Sequence, residues 1–150
     1  MIAVVQRVKA ASVTADGAPA GKCGHGLLVL LGVLGGDEAR DAEILAEKIA
    51  KLRIFTDEND KMNRSVLDIG GGVLAVSNFT LGADIKKGNR PSFTGAAAPE
   101  IAAPLYTHFC EELRRCGVST ETGVFGADMQ IDMTADGPVT IVMNTEIWKK

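Results

Sequence analysis

The chain has 150 residues, of which 46% are hydrophobic and 23% are charged, and its formal net charge is −3. This length and composition predict one globular domain over residues 1–150. The negative charge argues against a protein that coats nucleic acid through bulk positive charge, but it permits a local basic patch that grips one RNA.

Two features of the sequence predict a cytoplasmic protein that does not enter a membrane. The apolar residues 1–5 are followed by Gln6 and Arg7, which interrupt the run before a signal-peptide core could form. The strongest apolar run, residues 27–34, is far too short to cross a bilayer.

Cysteines and histidines give no sign of a disulfide framework or a metal centre. Cys23, Cys110 and Cys116 form no CxxC pair, and we interpret them as buried or half-buried thiols in a reducing cytosol. His25 and His108 each stand alone, without HxH or HxxxH spacing. The sequence therefore predicts no metal site and no cofactor.

The N-terminal part of the chain is predicted to be β-structure. Residues 2–8 and 12–15 are rich in β-branched side chains, and the turn signal Asp16-Gly17 predicts a hairpin whose return strand covers residues 18–22. Residues 27–33 show no polar alternation, which indicates a central strand buried on both faces.

A first helix is predicted after residue 36. Asp37 is a suitable N-cap, and Glu38 places negative charge in the first turn. Glu47 and Lys51 are spaced to pair on the exposed face. One apolar stripe is formed, at three- and four-residue spacing, by Ala42, Leu45, Ile49 and Leu52.

A second helix is predicted over residues 99–116, with Pro99 at a favourable first position and Gly117 as its stop. Pro104 is the anomaly, because a proline inside a helix removes a hydrogen bond, so the helix either kinks or begins there. Further strands are predicted over residues 54–56, 73–76, 118–123, 129–134 and 139–144. Strands before, between and after two helices predict an α+β fold.

Two short segments carry residues that a packing strand would not need: Ser77-Asn78-Phe79-Thr80-Leu81 and Ala135-Asp136-Gly137-Pro138-Val139-Thr140. Ser77 and Thr80 are hydroxyls that could attack an ester if a base stood nearby. No local carboxylate pattern orients either histidine, so hydrogen bonding of both hydroxyls to the backbone is the simpler interpretation. Thr80 stays a candidate site contact.

The Gly137-Pro138 dipeptide and a nearby basic cluster each allow two interpretations. Composition favours a plain hairpin turn for the dipeptide, whereas a rigid peptide lining a pocket would act as a steric gauge. The cluster of Lys86, Lys87 and Arg90 is by itself a solvated loop. Beside an ester-cleaving site it would suit the phosphates of a nucleic acid.

Eight blocks of sequence, spread from end to end, match one known family in order. They are residues 1–8 (MIAVVQRV), 26–33 (GLLVLLGV), 53–55 (RIF), 61–63 (KMN), 77–81 (SNFTL), 90–93 (RPSF), 122–129 (TGVFGADM) and 137–140 (GPVT). On these blocks the chain resembles the D-aminoacyl-tRNA deacylase (D-tyrosyl-tRNA(Tyr) deacylase) family. Two positions depart from its motifs, since Asn78 replaces the usual glutamine and Ala135 the usual asparagine.

The resemblance implies a β-barrel-like core of antiparallel and mixed sheets, flanked by two main helices. It also implies a homodimer that hydrolyses the ester between a D-amino acid and the 3′ end of tRNA, without a metal or cofactor. The two sites of such a dimer lie at the subunit interface. There the cis Gly-Pro peptide of one subunit enters the pocket of the other, so that L-aminoacyl groups are rejected while D-residues and glycine are admitted.

Roles for individual residues follow from the same resemblance. Ser77, Phe79 and Thr80 would surround the scissile carbonyl, with a main-chain amide near Phe79 stabilising the oxyanion and a ribose hydroxyl of the tRNA assisting water. Gly137 and Pro138 would be the chirality filter. Supporting or pocket-lining roles are implied for Arg7, Asn78, Met129, Val139 and Thr140, and tRNA contacts for Lys86, Lys87 and Arg90.

Two other functions stay open at the level of sequence. One is an esterase that uses Thr80 as nucleophile on small D-amino-acid esters. The other is a catalytically silent RNA-binding dimer that keeps this fold. The acidic balance and the presence of Gly137-Pro138 count against the silent protein.

Overall fold

Two α-helices and eight strands make up the computed structural model, which describes residues 1–149. In chain order the elements are β1 (Ile2–Ala15), β2 (Ala18–Cys23), β3 (Gly26–Gly32), α1 (Ala39–Lys51), β4 (Phe55–Thr56), β5 (Met62–Arg64), β6 (Gly72–Ser77), α2 (Pro99–Arg115), β7 (Ser119–Thr122) and β8 (Met129–Asn144). Short 3-10 helices cover Phe79–Gly82 and Thr145–Trp148. No helix among residues 1–149 is long and apolar enough to cross a membrane.

β1 is one strand of 14 residues, where the sequence predicted two. Its residues 2–8 pair antiparallel with β3, and its residues 11–15 pair antiparallel with β2. The predicted hairpin is confirmed, because Asp16 and Gly17 both have positive φ, as a two-residue hairpin turn requires. β8 runs antiparallel along the other edge of β1, while β3, β6 and β7 pair in parallel, so the sheet is mixed.

The sheet curls until its two edges meet, which confirms the β-barrel-like α+β fold. β2 reaches β7 at the far edge, where the amide of Lys22 donates to the Glu121 carboxylate, N···O 3.2 Å. The approach is so close that a Cβ on Gly21 would collide with the Thr122 carbonyl oxygen. Glycine at this position therefore allows the closure.

Two apolar cores lie on the two faces of the sheet. Leu27 and Val29 of β3 belong to the cluster that packs against α1 and α2. Leu28, between them, belongs to a second cluster inside the curl, together with Leu74 of β6. Successive side chains of a strand point to opposite faces, so a strand between two cores must be apolar throughout. The prediction of a central strand is confirmed.

The predicted N-cap of α1 is wrong. Glu38 is the N-cap residue, and its amide donates to the Asp41 carboxylate, N···O 2.8 Å. Asp37 instead accepts from the Leu34 amide and pairs with the terminal ammonium of Met1, both buried, at 2.8 Å. A buried ammonium needs an anionic partner, and this need occupies the Asp37 carboxylate.

The C-terminal half shows two further differences from expectation. α2 begins at Pro99 and continues through Pro104 to Arg115, so it does not begin at Pro104. β8 is a single strand through Gly137-Pro138, where two strands were predicted. Its pairing with β1 shifts register around Val8, and this irregularity accommodates the dipeptide within the strand.

Candidate active site

A cavity of about 850 Å³ opens where β3 and β6 end. Ser77 is the last residue of β6, and the Asn78 amide donates to the Leu31 carbonyl oxygen at the end of β3, N···O 2.8 Å. This hydrogen bond holds the chain against β3 while it turns into the 3-10 helix Phe79–Gly82. The turn places residues 77–80 at the cavity instead of in the sheet.

Five of the predicted site residues line this cavity together: Ser77, Asn78, Phe79, Thr80 and Met129. The rest of the wall is largely apolar and includes Leu30, Val76, Phe93, Ala102, Phe125 and Ile131. The site prediction omitted Phe93, Ala102 and Phe125, because no local pattern marks residues that three distant segments bring together. Phe93 and Phe125 do lie in blocks that the resemblance matched.

Tyr106 of α2 fixes the strand that leads into the cavity. Its hydroxyl is buried and donates to the Ala75 carbonyl oxygen, two residues before Ser77, O···O 2.7 Å. A tyrosine hydroxyl is already a hydrogen-bond donor at neutral pH, and burial raises the pKa of this one further above its ordinary value. α2 thereby holds the end of β6 in place.

Neither histidine reaches the cavity. The His108 Nε2 pairs with the Glu43 carboxylate at 3.2 Å on the outer side of the helices, and the His25 ring packs edge-on against Phe55. Within residues 1–149, no group of three or more His, Cys, Asp or Glu side chains is placed to hold a metal ion. Ser77 and Thr80 therefore have no imidazole beside them in the described chain.

The second predicted segment lies in β8, outside the cavity wall. The Gly137-Pro138 peptide bond is cis. Arg7 of β1 holds the residue before it, because its Nε donates to the Asp136 carbonyl oxygen at 3.1 Å and pairs with the Asp136 carboxylate at 3.3 Å. The Arg7 Nη1 also donates to the Ile54 carbonyl oxygen at 2.7 Å, and Arg7 thereby links this part of β8 to the segment before β4.

Gly137 itself is closely confined. Its φ is +126°, and a Cβ there would lie 2.9 Å from the Val139 amide nitrogen and 3.1 Å from the Arg7 Nη2. The Thr140 hydroxyl donates to the Gln6 side-chain oxygen, O···O 2.7 Å. Gly137 and its neighbours Pro138, Val139 and Thr140 are thus held on β1, and within one chain they do not line the cavity.

The predicted basic cluster occupies a loop beside the cavity. The backbones of Asp84 and Ser92 exchange two hydrogen bonds of 2.7 and 2.9 Å that close the loop, and we call residues 84–92 the basic loop. Lys86, Lys87 and Arg90 are all exposed on it.

Comparisons with known proteins show the family of this chain. A family model described as D-Tyr-tRNA(Tyr) deacylase matches residues 4–144. A D-aminoacyl-tRNA deacylase of Roseiflexus castenholzii is 55% identical over 150 residues, which cover 100% of this chain and 96% of the relative. Another, of Deinococcus radiodurans, is 58% identical over 144 residues, which cover 96% and 99%. The chain belongs to the D-aminoacyl-tRNA deacylase family. This is a family of hydrolases.

Two solved structures share the fold of this chain. A structure described as c-Myc DNA Unwinding Element Binding Protein has a TM-score of 0.88 and 42% identity, and covers 96% of this chain and 98% of its own. A structure described as a probable eukaryotic D-amino acid tRNA deacylase has a TM-score of 0.83 at 16% identity, with 95% and 97% covered. The second likeness shows the fold alone.

Asn78 is where this member departs from the glutamine of the deacylase motif. The Thr80 hydroxyl donates to the Asn78 side-chain oxygen, O···O 2.5 Å. Thr80 therefore bonds a side chain, where the sequence predicted a backbone partner. Its hydrogen is engaged, while the lone pairs of its oxygen stay available as acceptors.

Proposed function

We propose that this deacylase-family member hydrolyses the ester bond of D-aminoacyl-tRNA in the cytoplasm, releasing the free D-amino acid and tRNA. Glycyl-tRNA is a second substrate, because glycine has no side chain that a chirality filter could reject. The observation that carries the proposal is the cavity formed by Ser77, Asn78, Phe79 and Thr80 in a chain that belongs to this family.

The proposed chemistry uses water and the substrate's own ribose. Water bonds to the ester carbonyl carbon, the C–O bond to the terminal ribose breaks, and the proton passes to the departing ribose oxygen with help from the neighbouring hydroxyl. A main-chain amide near Phe79 stabilises the oxyanion, since the first amides of a helical turn have no acceptor within the helix. Ser77 and Thr80 complete the surroundings of the carbonyl.

Rejection of L-residues is assigned to a second subunit. The cis Gly137-Pro138 peptide of one subunit enters the cavity of the other, with Arg7 steadying it and Val139 and Thr140 supporting it. Two observations support a homodimer: this peptide lies outside the cavity of its own chain, and both faces of residues 130–135 of β8 are exposed. A rigid peptide excludes a side chain more sharply than a flexible one.

The basic loop is the proposed contact to the tRNA backbone. Lys86, Lys87 and Arg90 are exposed on the loop that directly precedes Phe93 of the cavity wall, and phosphates are attracted to such cations whatever the base sequence. In this arrangement a protein with a net charge of −3 still presents three cations to the RNA of a proofreading reaction.

The experiment that tests the proposal compares the two handed substrates. Purified protein is given D-tyrosyl-tRNA and L-tyrosyl-tRNA side by side in EDTA, and release of tyrosine is followed. We expect rapid hydrolysis of the D form, with the L form at the rate of the uncatalysed reaction. Equal rates on both, or no turnover of the D form, would contradict the proposed function.

The same assay separates the alternatives. A Thr80-nucleophile esterase would hydrolyse small D-amino-acid esters as well as the tRNA ester, and would lose activity with the Thr80 hydroxyl. A catalytically silent RNA-binding dimer would bind both tRNAs and hydrolyse neither. The solved structure with 42% identity carries the name of a DNA-binding protein, which makes the silent alternative worth this direct comparison.

A further inference from the structure

Two exposed aromatic rings stand together at the cavity. Phe79 is 57% and Phe93 is 36% exposed, their ring centroids are 5.2 Å apart, and their planes meet at 75°. In this edge-to-face arrangement one ring turns its edge to the other, so its own two faces are not covered by that partner. Both rings also line the cavity wall, and they form a shared apolar edge that water reaches.

The aromatic pair is continuous with the basic loop. Phe93 directly follows Ser92, whose hydrogen bonds with Asp84 close that loop. The Phe93 carbonyl oxygen accepts from the Ala96 amide, N···O 3.1 Å. The position of the ring is therefore coupled to the position of the loop. None of the ion pairs among residues 1–149 involves the three cations of the basic loop, and all three residues are exposed.

We propose that Phe79 and Phe93 form a stacking platform for an unpaired nucleotide that precedes the terminal nucleotide of the bound RNA. The inference rests on the proposed function, because that function fixes which end of the RNA enters the cavity. If the 3′ ester lies inside, the strand must leave across the mouth. There it meets an aromatic surface beside cations, which is the combination that holds single-stranded nucleic acid.

Charge and chemistry together favour this occupant over a protein segment. Every base has a π-face, so stacking on Phe93 would be tolerant of sequence, as suits an enzyme that acts on tRNAs with different amino acids. The cations of the basic loop would hold the phosphate on either side of the stacked base. Phe93 is thus a binding residue for the RNA strand, distinct from the residues around the scissile carbonyl.

The test compares a long and a short substrate in the full-length protein. Kinetics are measured with D-tyrosyl-tRNA and with D-tyrosyl-adenosine, which lacks every preceding nucleotide. The variants are Phe93→Leu, which stays apolar but loses the aromatic face, and Phe93→Tyr, which keeps that face. Thermal unfolding of each variant is measured alongside.

We expect Phe93→Leu to raise KM for D-tyrosyl-tRNA by on the order of 10- to 100-fold, which is the effect of losing one stacked base. Phe93→Leu will change KM for D-tyrosyl-adenosine much less. Phe93→Tyr will keep the wild-type preference for the long substrate. Equal losses on both substrates, or equal behaviour of Leu and Tyr, would mean that the ring only supports packing and would overturn the inference. Wild-type protein that hydrolyses neither substrate would instead overturn the proposed function and this inference with it.

A second measurement needs no variant. A single-stranded RNA carrying 2-aminopurine at the position before the last is titrated with wild-type protein, with the same base far from the 3′ end as control. Stacking on an aromatic ring quenches this fluorophore. We expect quenching at the first position alone, and binding without quenching there would contradict the platform.

Discussion

Thr80 donates its hydroxyl hydrogen to Asn78 and has no imidazole beside it in the described chain. If water is the attacking group, Thr80→Ala should keep at least about a tenth of the wild-type kcat/KM on D-tyrosyl-tRNA. Loss of a true nucleophile lowers kcat by up to about 10⁶-fold. Steady-state kinetics would decide, with Thr56→Ala, an exposed threonine on β4, as control. Near-complete loss for Thr80→Ala alone would favour the covalent mechanism.

Gly137 is the other residue whose environment makes a sharp prediction. Gly137→Ala places a side chain on a backbone with φ of +126°, 2.9 Å from the Val139 amide nitrogen and 3.1 Å from Arg7, so both strain and collision oppose it. We expect the free energy of unfolding to fall by about 2–4 kcal/mol. Gly36→Ala is the matched control, since Gly36 has φ of +87° with nothing within 4 Å, and should lose on the order of 1 kcal/mol. Equal losses in urea unfolding would show that the contacts with Val139 and Arg7 relax and that no collision adds to the backbone strain.

At the scale of elements, α2 contains a destabilising proline. Pro104 is exposed inside the helix, where it cannot donate the hydrogen bond that other residues make to the preceding turn. Pro104→Ala restores that donor but makes the unfolded chain more flexible, and the net gain in the free energy of unfolding should be about 1–2 kcal/mol. Pro99→Ala, at a first position that tolerates proline, should gain nothing. A thermal-unfolding comparison in which both variants behave alike would contradict this account.

The packing of α2 against the sheet also predicts a pH dependence. Burial raises the pKa of the Cys110 thiol to about 11, whereas an unfolded thiol ionises near about 8.5. Between these values the unfolded state binds fewer protons than the folded state, so the free energy of unfolding falls as pH rises. Cys110→Ala should make the stability profile less steep between about pH 8.5 and 10, where the raised pKa values of the Cys23 and Cys116 thiols still contribute and Tyr106 does not. An unchanged slope in urea unfolding at several pH values would contradict this.

At the scale of the whole molecule, β8 is left without cover on both faces over residues 130–135. If a second subunit supplies that cover, a charge on Met133, which is 49% exposed, should disrupt the dimer and lower deacylation together. Met62→Asp is the control, because Met62 is 59% exposed on the separate β4–β5 hairpin. Sedimentation velocity should show two-chain particles for wild type and Met62→Asp, and single chains for Met133→Asp. A Met133→Asp variant that stays dimeric and active would rule out this surface.

Short-range patterns in the sequence determined the parts of the protein whose physics is local. Asp16-Gly17 predicted a hairpin because its backbone preference needs no distant partner, and the apolar stripe of α1 needs only helical spacing. The motif at residues 77–80 could likewise be recognised from consecutive residues. The family could be recognised from several such blocks in the same order, because the order of blocks can be seen in the sequence without knowledge of any contact.

Long-range contacts decided the rest, and only the tertiary structure contains them. Asp37 does not cap its helix because its carboxylate binds the terminal ammonium of Met1, 36 positions away in the chain. Gly137-Pro138 lies inside one long strand because β8 pairs with β1 on both sides of the dipeptide, at Gln6 with Thr140 and at Val8 with Ala135, and the register shifts between these two pairs. The cavity combines residues 77–80 with Phe93 and Met129. Their meeting depends on the pairing of β6 with β3 and of β8 with β1, because the energy of burial belongs to the assembled sheet and to none of its segments alone.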